Sequence, residues 1–357
     1  MKNIVRFAIY LSAGLLYTWV SAKPPKSEII ELISHCEVKN NRLRENVTHL
    51  MQINDRAGED DAQIALFYAK GEKIKIKSAQ IEDTSGNIIR KLKNNEITDQ
   101  SAVSNSTLYS DDFVKHFKLI HNNYPYRIRY EYEYETSRFL SIKSLNYTWS
   151  ETPVRKEIIT VDIPANYNIK YKQHNIDEPS IEMLDAENMK RYKWEFSYNG
   201  DEYTNLNTDF NTIEAPFLEV IPLYFKYGVD GSNADWKGFG DWIYKLNKQK
   251  DDLPLSEQQK IDQLINGKTD VYDKIKILYN YMQDNTRYIN VKLNIGGFQT
   301  YPASYVCTNK YGDCKALSNY MVSILKYAGI DAYYTLIHSS RFIKDIDPDF
   351  ASQDFNH

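Results

Sequence analysis

Two residues carry the strongest chemical signal in this chain. Cys314 stands in Tyr311-Gly312-Asp313-Cys314-Lys315, directly before an apolar helical stretch, and His357 ends Phe355-Asn356-His357. Leu317, Tyr320, Met321, Ile324, Leu325 and Ala328 recur at helical spacing, so one face of that helix is expected to be buried. Gly329 stands where a left-handed residue would stop it. A cysteine at a helix start meets free backbone N–H groups and the positive end of the helix dipole, which favour a thiolate, the nucleophilic form. Gly312 is read as leaving room for a substrate carbonyl. Nucleophile, then a strand (Ala332–Ile337), then a histidine is an order in which cysteine and histidine meet only in space. His338 is the rival histidine, with a strand-end structural role as its simpler reading.

The elements that must hold these residues fall into two regions. From about Glu28 to about Tyr224 the pattern is β. Lys73–Ile81 alternates, Asp83–Asn87 is turn chemistry and Ile88-Ile89 restarts a strand, which predicts a hairpin. Arg127–Glu135 alternates tyrosine or isoleucine with charge, while Ile158–Ile163 and Tyr192–Phe196 add further strands. Many short strands without long helices predict an antiparallel sandwich. Beyond it, Gly238–Leu246 is expected to be a short helix carrying Trp242, and Ser256–Gln259 to cap a helix running to Asn266. Thr269-Asp270 opens a stronger helix with a Val271, Ile275, Leu278, Met282 stripe, and Arg287–Val291 reads as one strand.

Composition bounds the function classes. The 357 residues leave room for two domains, and 42% hydrophobic with 26% charged residues is ordinary for globular protein. A net charge of -4 leaves no basic footprint for nucleic acid. Lys2 and Arg6, the apolar run Phe7–Val20 and Val20-Ser21-Ala22 read as a cleavable signal peptide, with no membrane span after cleavage and a secreted or periplasmic destination. Cys36, Cys307 and Cys314 are an odd set; a Cys307–Cys314 disulfide and a zinc site with His338 and His357 are alternatives to a free nucleophile.

Together these residues resemble the secreted bacterial transglutaminase-like (papain-like) superfamily. The resemblance rests on Tyr281-Met282-Gln283, Thr286–Ile289, Gly296-Gly297-Phe298, Tyr311–Lys315, Ala328-Gly329-Ile330 and Phe355–His357. The region before it resembles a β-sandwich domain of unknown function that commonly accompanies such cores. Its carrying residues are Ile76–Ala79, Asp83–Gly86, Tyr109–Asp112 and Tyr124-Pro125-Tyr126. The expected architecture is α+β: a signal peptide over 1–22, a sandwich over 23–225, a linker with short helices over 226–268, and a transglutaminase-like core over 269–357, truncated at its C-terminus.

The resemblance implies acyl transfer on peptide or protein amides, by hydrolysis or amide transfer, through a Cys314 thioester with His357 as general base. The Cys314 backbone N–H is the implied oxyanion donor, with Gln283 and Tyr288 as candidates for a second. Neither a metal nor an organic cofactor is implied, and the partner is a peptide or protein substrate. The family's third residue, an Asp or Asn beyond the histidine, has no counterpart here: Asp345, Asp347, Asp349 and Asp354 all precede His357. The alternative reading is a non-catalytic peptide- or glycan-binding protein with a degenerate core.

Overall fold

A computed structural model describes residues 24–102, 107–148, 150–200, 215–292, 297–339 and 346–357. The signal segment, Asp345 and Gly296 lie outside the described residues.

The frame is an eight-stranded sheet in the order Ser180–Leu184, Met189–Tyr198, Val154–Pro164, Ser27–Lys39, Arg42–Ile53, Tyr126–Thr136, Lys73–Glu82, Ile88–Lys91. The expected hairpin, tyrosine strand and two further strands all lie in it. One expectation fails: the sheet is mixed, because Ser27–Lys39 runs parallel to Val154–Pro164. Alternation within a strand shows which face is buried but not which neighbour pairs with it, so the parallel step had no sequence signature.

Two three-stranded sheets cover one face of this frame. Gln63–Ala69, Asp112–Lys118 and Thr98–Ser101 form one; Lys143–Asn146, Phe217–Pro222 and Ile169–His174 form the other. Ile64 and Phe117 of the first pack on Met51, Ile53, Ile81 and Ile128, while Leu218 and Val220 of the second pack on Leu43, Val161 and Trp194. Leu43, Met51 and Ile53 share parity along one unbroken strand, so both clusters lie on the same face. Between them, the Lys143 ammonium donates to Glu45 Oε1 at 2.6 Å and Ser34 Oγ at 3.0 Å, and the Tyr147 hydroxyl donates to the buried Glu157 at 2.6 Å. The charged face of the tyrosine strand is laced by cross-strand pairs: Arg129–Glu82 at 2.9 Å, Lys77–Glu133 at 3.0 Å and Arg42–Glu135 at 2.7 Å.

The second unit is helical: α1 (Trp236–Asn247), α2 (Leu255–Ile265), α3 (Val271–Asn285), α4 (Ala303–Asn309) and α5 (Cys314–Tyr327). Trp242 of α1 is fully buried against Phe225 and Phe239, as its place in the sequence predicted. Ile261, Leu278, Val306, Ala316, Tyr320 and Ile324 join α2 to α5 in one core, the valine, leucine and isoleucine side chains being worth roughly 1.5–3 kcal/mol each when buried. The α2 start differs from expectation. Pro254 holds the cap position without a side-chain bond, and Glu257 turns inward to accept from the Tyr320 and Tyr281 hydroxyls. A buried carboxylate with two phenol donors is better satisfied there than as an exposed cap. In α3, Asp270 caps as read, but Val271 is exposed, so the stripe begins later than its spacing suggested.

Two more strand expectations change. Arg287–Val291 is split: Arg287–Tyr288 pairs in parallel with Tyr311–Gly312, whereas Asn290–Lys292 pairs in parallel with Thr107–Ser110 of the sandwich. Ala332–Ile337 is extended but forms no ladder among the described residues; only Ile337 finds backbone partners, in Asn356 and His357. Among the described residues no helix is long and apolar enough to cross a membrane.

His49 gives the sandwich a pH dependence. It is buried, stacked on Tyr130 at 4.8 Å with Nδ1 unpartnered among the described residues, and burial pushes its imidazole down to about 4. Between about 4 and about 6.5 the unfolded chain binds the extra proton, so stability falls as pH drops through that window. Urea denaturation at neutral pH and at pH ~5 should show a loss approaching a limit of about 3 kcal/mol near pH ~4, and His49→Phe should flatten it.

Candidate active site

The site begins with Asp313. Its carboxylate is almost wholly buried at 2% exposure, caps α5 by accepting the Ala316 N–H at 2.9 Å, and accepts from the Lys315 ammonium at 2.5 Å. Cys314 is thereby fixed as the first residue of the helix, where the N–H groups have no intrahelical acceptor. At the other end Gly329 takes φ +72°, with Gly329 N–H donating to Lys326 O and Ile330 N–H to Leu325 O. This paired closure is the left-handed stop that the sequence placed there.

Gly312 serves a different purpose from the one read in the sequence. It is buried, and a Cβ built on it would stand 2.9 Å from the Ala316 Cβ and 3.4 Å from Val306. The missing side chain lets the strand before Cys314 press onto α4 and α5; it faces their packing, not a substrate.

Cys314 and His357 line one cavity of about 490 Å³. The rest of its wall comes from three directions: Gly297 and Phe298 before α4; Leu336, Gln353, Phe355 and Asn356 of the C-terminal stretch; and Ala69, Lys70, Asp111, Asp112 and Tyr227 from the sandwich side. His357 Nδ1 lies 2.8 Å from the Asn356 carbonyl oxygen. A carbonyl only accepts, so the proton of the neutral ring belongs on Nδ1 and the lone pair on Nε2. His338 instead places Nδ1 2.8 Å from the Asp354 carbonyl and stays outside the cavity lining.

The oxyanion candidates separate. Tyr288 is 57% exposed and does not line the cavity, yet burial of its phenol and then the nearby Cys314 and Asp313 push its pKa up, which sets it near the cysteine. Gln283 is exposed on α3, donates to the Tyr279 hydroxyl at 3.3 Å and does not line the cavity. All three cysteines are free. Cys36 is fully buried in the sandwich, and burial drives its thiol far upward. Burial, then a bond to Glu257 at 3.1 Å, pushes Cys307 up to about 11. Cys307 is thus turned into the helical core.

Sequence reasoning missed several residues. Tyr334 packs on the aromatic cluster of α1, and its phenol is raised first by burial and then by the charges of Cys314 and Asp313. Gln353 donates to the Phe355 carbonyl at 2.6 Å, while its buried Oε1 has no partner among the described residues. Asp347, considered only as a triad acid, is used in docking: it accepts from Lys172 at 2.5 Å, and its carbonyl accepts the Trp236 indole N–H at 2.8 Å. Lys170 adds a bond to the Asp349 carbonyl at 3.1 Å. Periodicity carried no signal for these long-range contacts.

Residues 258–338 match the transglutaminase-like superfamily, and residues 39–198 match DUF3857, a domain of unknown function with solved structures. No curated protein matches the chain. A crystal structure of a proposed protease from Parabacteroides distasonis ATCC 8503 is similar over 93% of this chain, at 12% identity and a TM-score of 0.71. This chain spans 64% of that one's length, and the likeness concerns the fold. Aminopeptidase A of Legionella pneumophila with aspartic acid (TM-score 0.29, 13% identity, 57% of this chain and 22% of that one) is too distant to carry an argument. The same holds for an M1 zinc metallopeptidase of Deinococcus radiodurans (0.26, 11%, 55% and 42%). The chain therefore has an α+β fold, with a transglutaminase-like core behind a DUF3857 domain.

The Asp313 cap is open to a direct test. Asp313→Ala removes the bond to Ala316 and leaves Lys315 unpaired, so it should destabilise the protein by about 1–2 kcal/mol, while Asp313→Asn should recover much of this. Denaturant midpoints of the two variants check the order.

Proposed function

We propose that this protein, built from a transglutaminase-like core behind a DUF3857 domain, is a cysteine-dependent acyl-transfer enzyme acting on peptide or protein amides. The supporting observation is that Cys314, at the first position of α5, and His357 line one cavity. His357 Nε2 takes the Cys314 proton, the thiolate attacks the amide carbonyl carbon, and an S–C bond forms as the carbonyl electrons move to oxygen. The Cys314 N–H, free at the helix start, is the first donor for that oxyanion, and the nearby Tyr288 hydroxyl is the candidate for the second. Collapse expels the amide nitrogen with the proton held on His357. Water or an amine then attacks the thioester and restores the thiolate.

The Asn356 carbonyl fixes the tautomer of His357. It carries no full negative charge, so it stabilises an imidazolium less than a carboxylate would. Export is part of the proposal and rests on the Lys2–Ala22 signal; mass spectrometry of the mature protein should find Lys23 at its N-terminus.

Two measurements test the chemistry. Iodoacetamide at neutral pH should modify Cys314 well ahead of Cys307 and Cys36. Incubation with a peptide amide should leave an acyl adduct on Cys314 that hydroxylamine releases, and His357→Ala should slow its formation by roughly 10²–10⁴-fold. Uniformly slow labelling with no adduct would return the protein to the non-catalytic binding reading.

A further inference from the structure

The cavity around Cys314 is built by both domains, and its charges are not equally available. Lys315 is held by Asp313. Asp111 and Asp112 each already have a partner. Lys70 is exposed, lines the same cavity, and has no carboxylate within ion-pair reach among the described residues. Its backbone, by contrast, is tied down. Lys70 N–H donates to the Asp111 carbonyl at 2.8 Å, and the Arg138 guanidinium donates to the Lys70 carbonyl. Glu72 closes the turn on Ala69, accepting its N–H at 2.7 Å and donating to its carbonyl at 3.0 Å. Gly71 occupies the turn at φ +93°, and a side chain there would meet Arg138 at 2.8 Å. An ammonium carried on a pinned turn suits anion binding, because side-chain entropy and little backbone entropy remain to be lost on binding.

We infer that Lys70 makes the DUF3857 domain the substrate-selecting wall of the Cys314 site, which takes amides bearing a carboxylate near the bond to be attacked. The inference rests on the acyl-transfer reading of that site. A side-chain carboxylate and a free C-terminal carboxylate offer the same chemistry, so the substrates must separate them.

The first test needs no natural substrate. Iodoacetate and iodoacetamide alkylate the same thiolate, each forming an S–C bond with loss of iodide, and differ in charge. Lys70→Glu should lower the iodoacetate-to-iodoacetamide rate ratio at Cys314 by about threefold or more, Lys70→Arg should retain it, and ~1 M salt should shrink the difference. The second test compares peptides carrying an acidic side chain, a free C-terminus, or neither. Lys70→Ala should cost about tenfold in kcat/KM for one carboxylate-bearing peptide relative to its neutral twin, mostly through KM, and whichever peptide responds names the carboxylate. A rate ratio unchanged in Lys70→Glu, or equal losses on charged and neutral peptides, overturns the inference while the site stands. A Cys314 no more reactive than Cys307 or Cys36 overturns the site reading and the inference with it.

Discussion

A carboxylate buried at the first turn of α5 is the constraint on which the rest of this architecture depends. An ionised Asp313 is tolerable at 2% exposure only because a helix N–H, the helix dipole and the Lys315 ammonium surround it. Those partners fix the helix start, and the helix start fixes Cys314. The same requirement reaches backward. Gly312 must lie flat against Ala316 for Asp313 to reach its cap position, and Tyr311-Gly312 must pair with Arg287-Tyr288 to hold that strand down. The pairing sets Tyr288 opposite Gly312, two positions before Cys314. One buried carboxylate thus sets the position of Cys314 and of the strand pair that leads into it.

The histidine is held by different physics. The C-terminal stretch has little regular structure among the described residues, and its position comes from pinning. Ala351 and Phe355 pack into the aromatic cluster of α1, the Phe355 ring standing 5.5 Å from that of Trp236. Trp236, Lys170 and Lys172 hold the backbone and side chains around Asp347 and Asp349. Exposed lysine contacts of this kind are individually weak, and their value lies in acting together with a buried apolar anchor. His357 is set by several modest contacts, whereas Cys314 is set by one strong cap.

Local rules account for what could be read from the sequence. The α5 helix, its glycine stop and the Trp242 helix follow from spacing and end chemistry within a dozen residues, and so do the hairpin and the tyrosine strand. Readings failed where a residue answers to a partner that only the folded chain brings beside it. Gly312 looked like a substrate-side glycine because Ala316 and Val306 could not be seen beside it. Arg287–Val291 looked like one strand because nothing in it announces that its halves pair with different domains. Ala332–Ile337 has a strand's composition, but a ladder also needs a neighbour, and that information lies elsewhere in the chain.

These failures point the same way. The partners that sequence reasoning lacked sit largely in the sandwich: Thr107–Ser110 beside Asn290–Lys292, Lys172 beside Asp347 from 175 positions away, and Lys70 across the cavity from Cys314. A domain that served only as a tether would touch the core at its boundary. This one contributes a strand pairing, a clamp on the segment bearing His357, and a wall of the cavity. The two halves are therefore joined structurally, and the placing of Cys314 and His357 on one cavity depends on the sandwich being folded and docked.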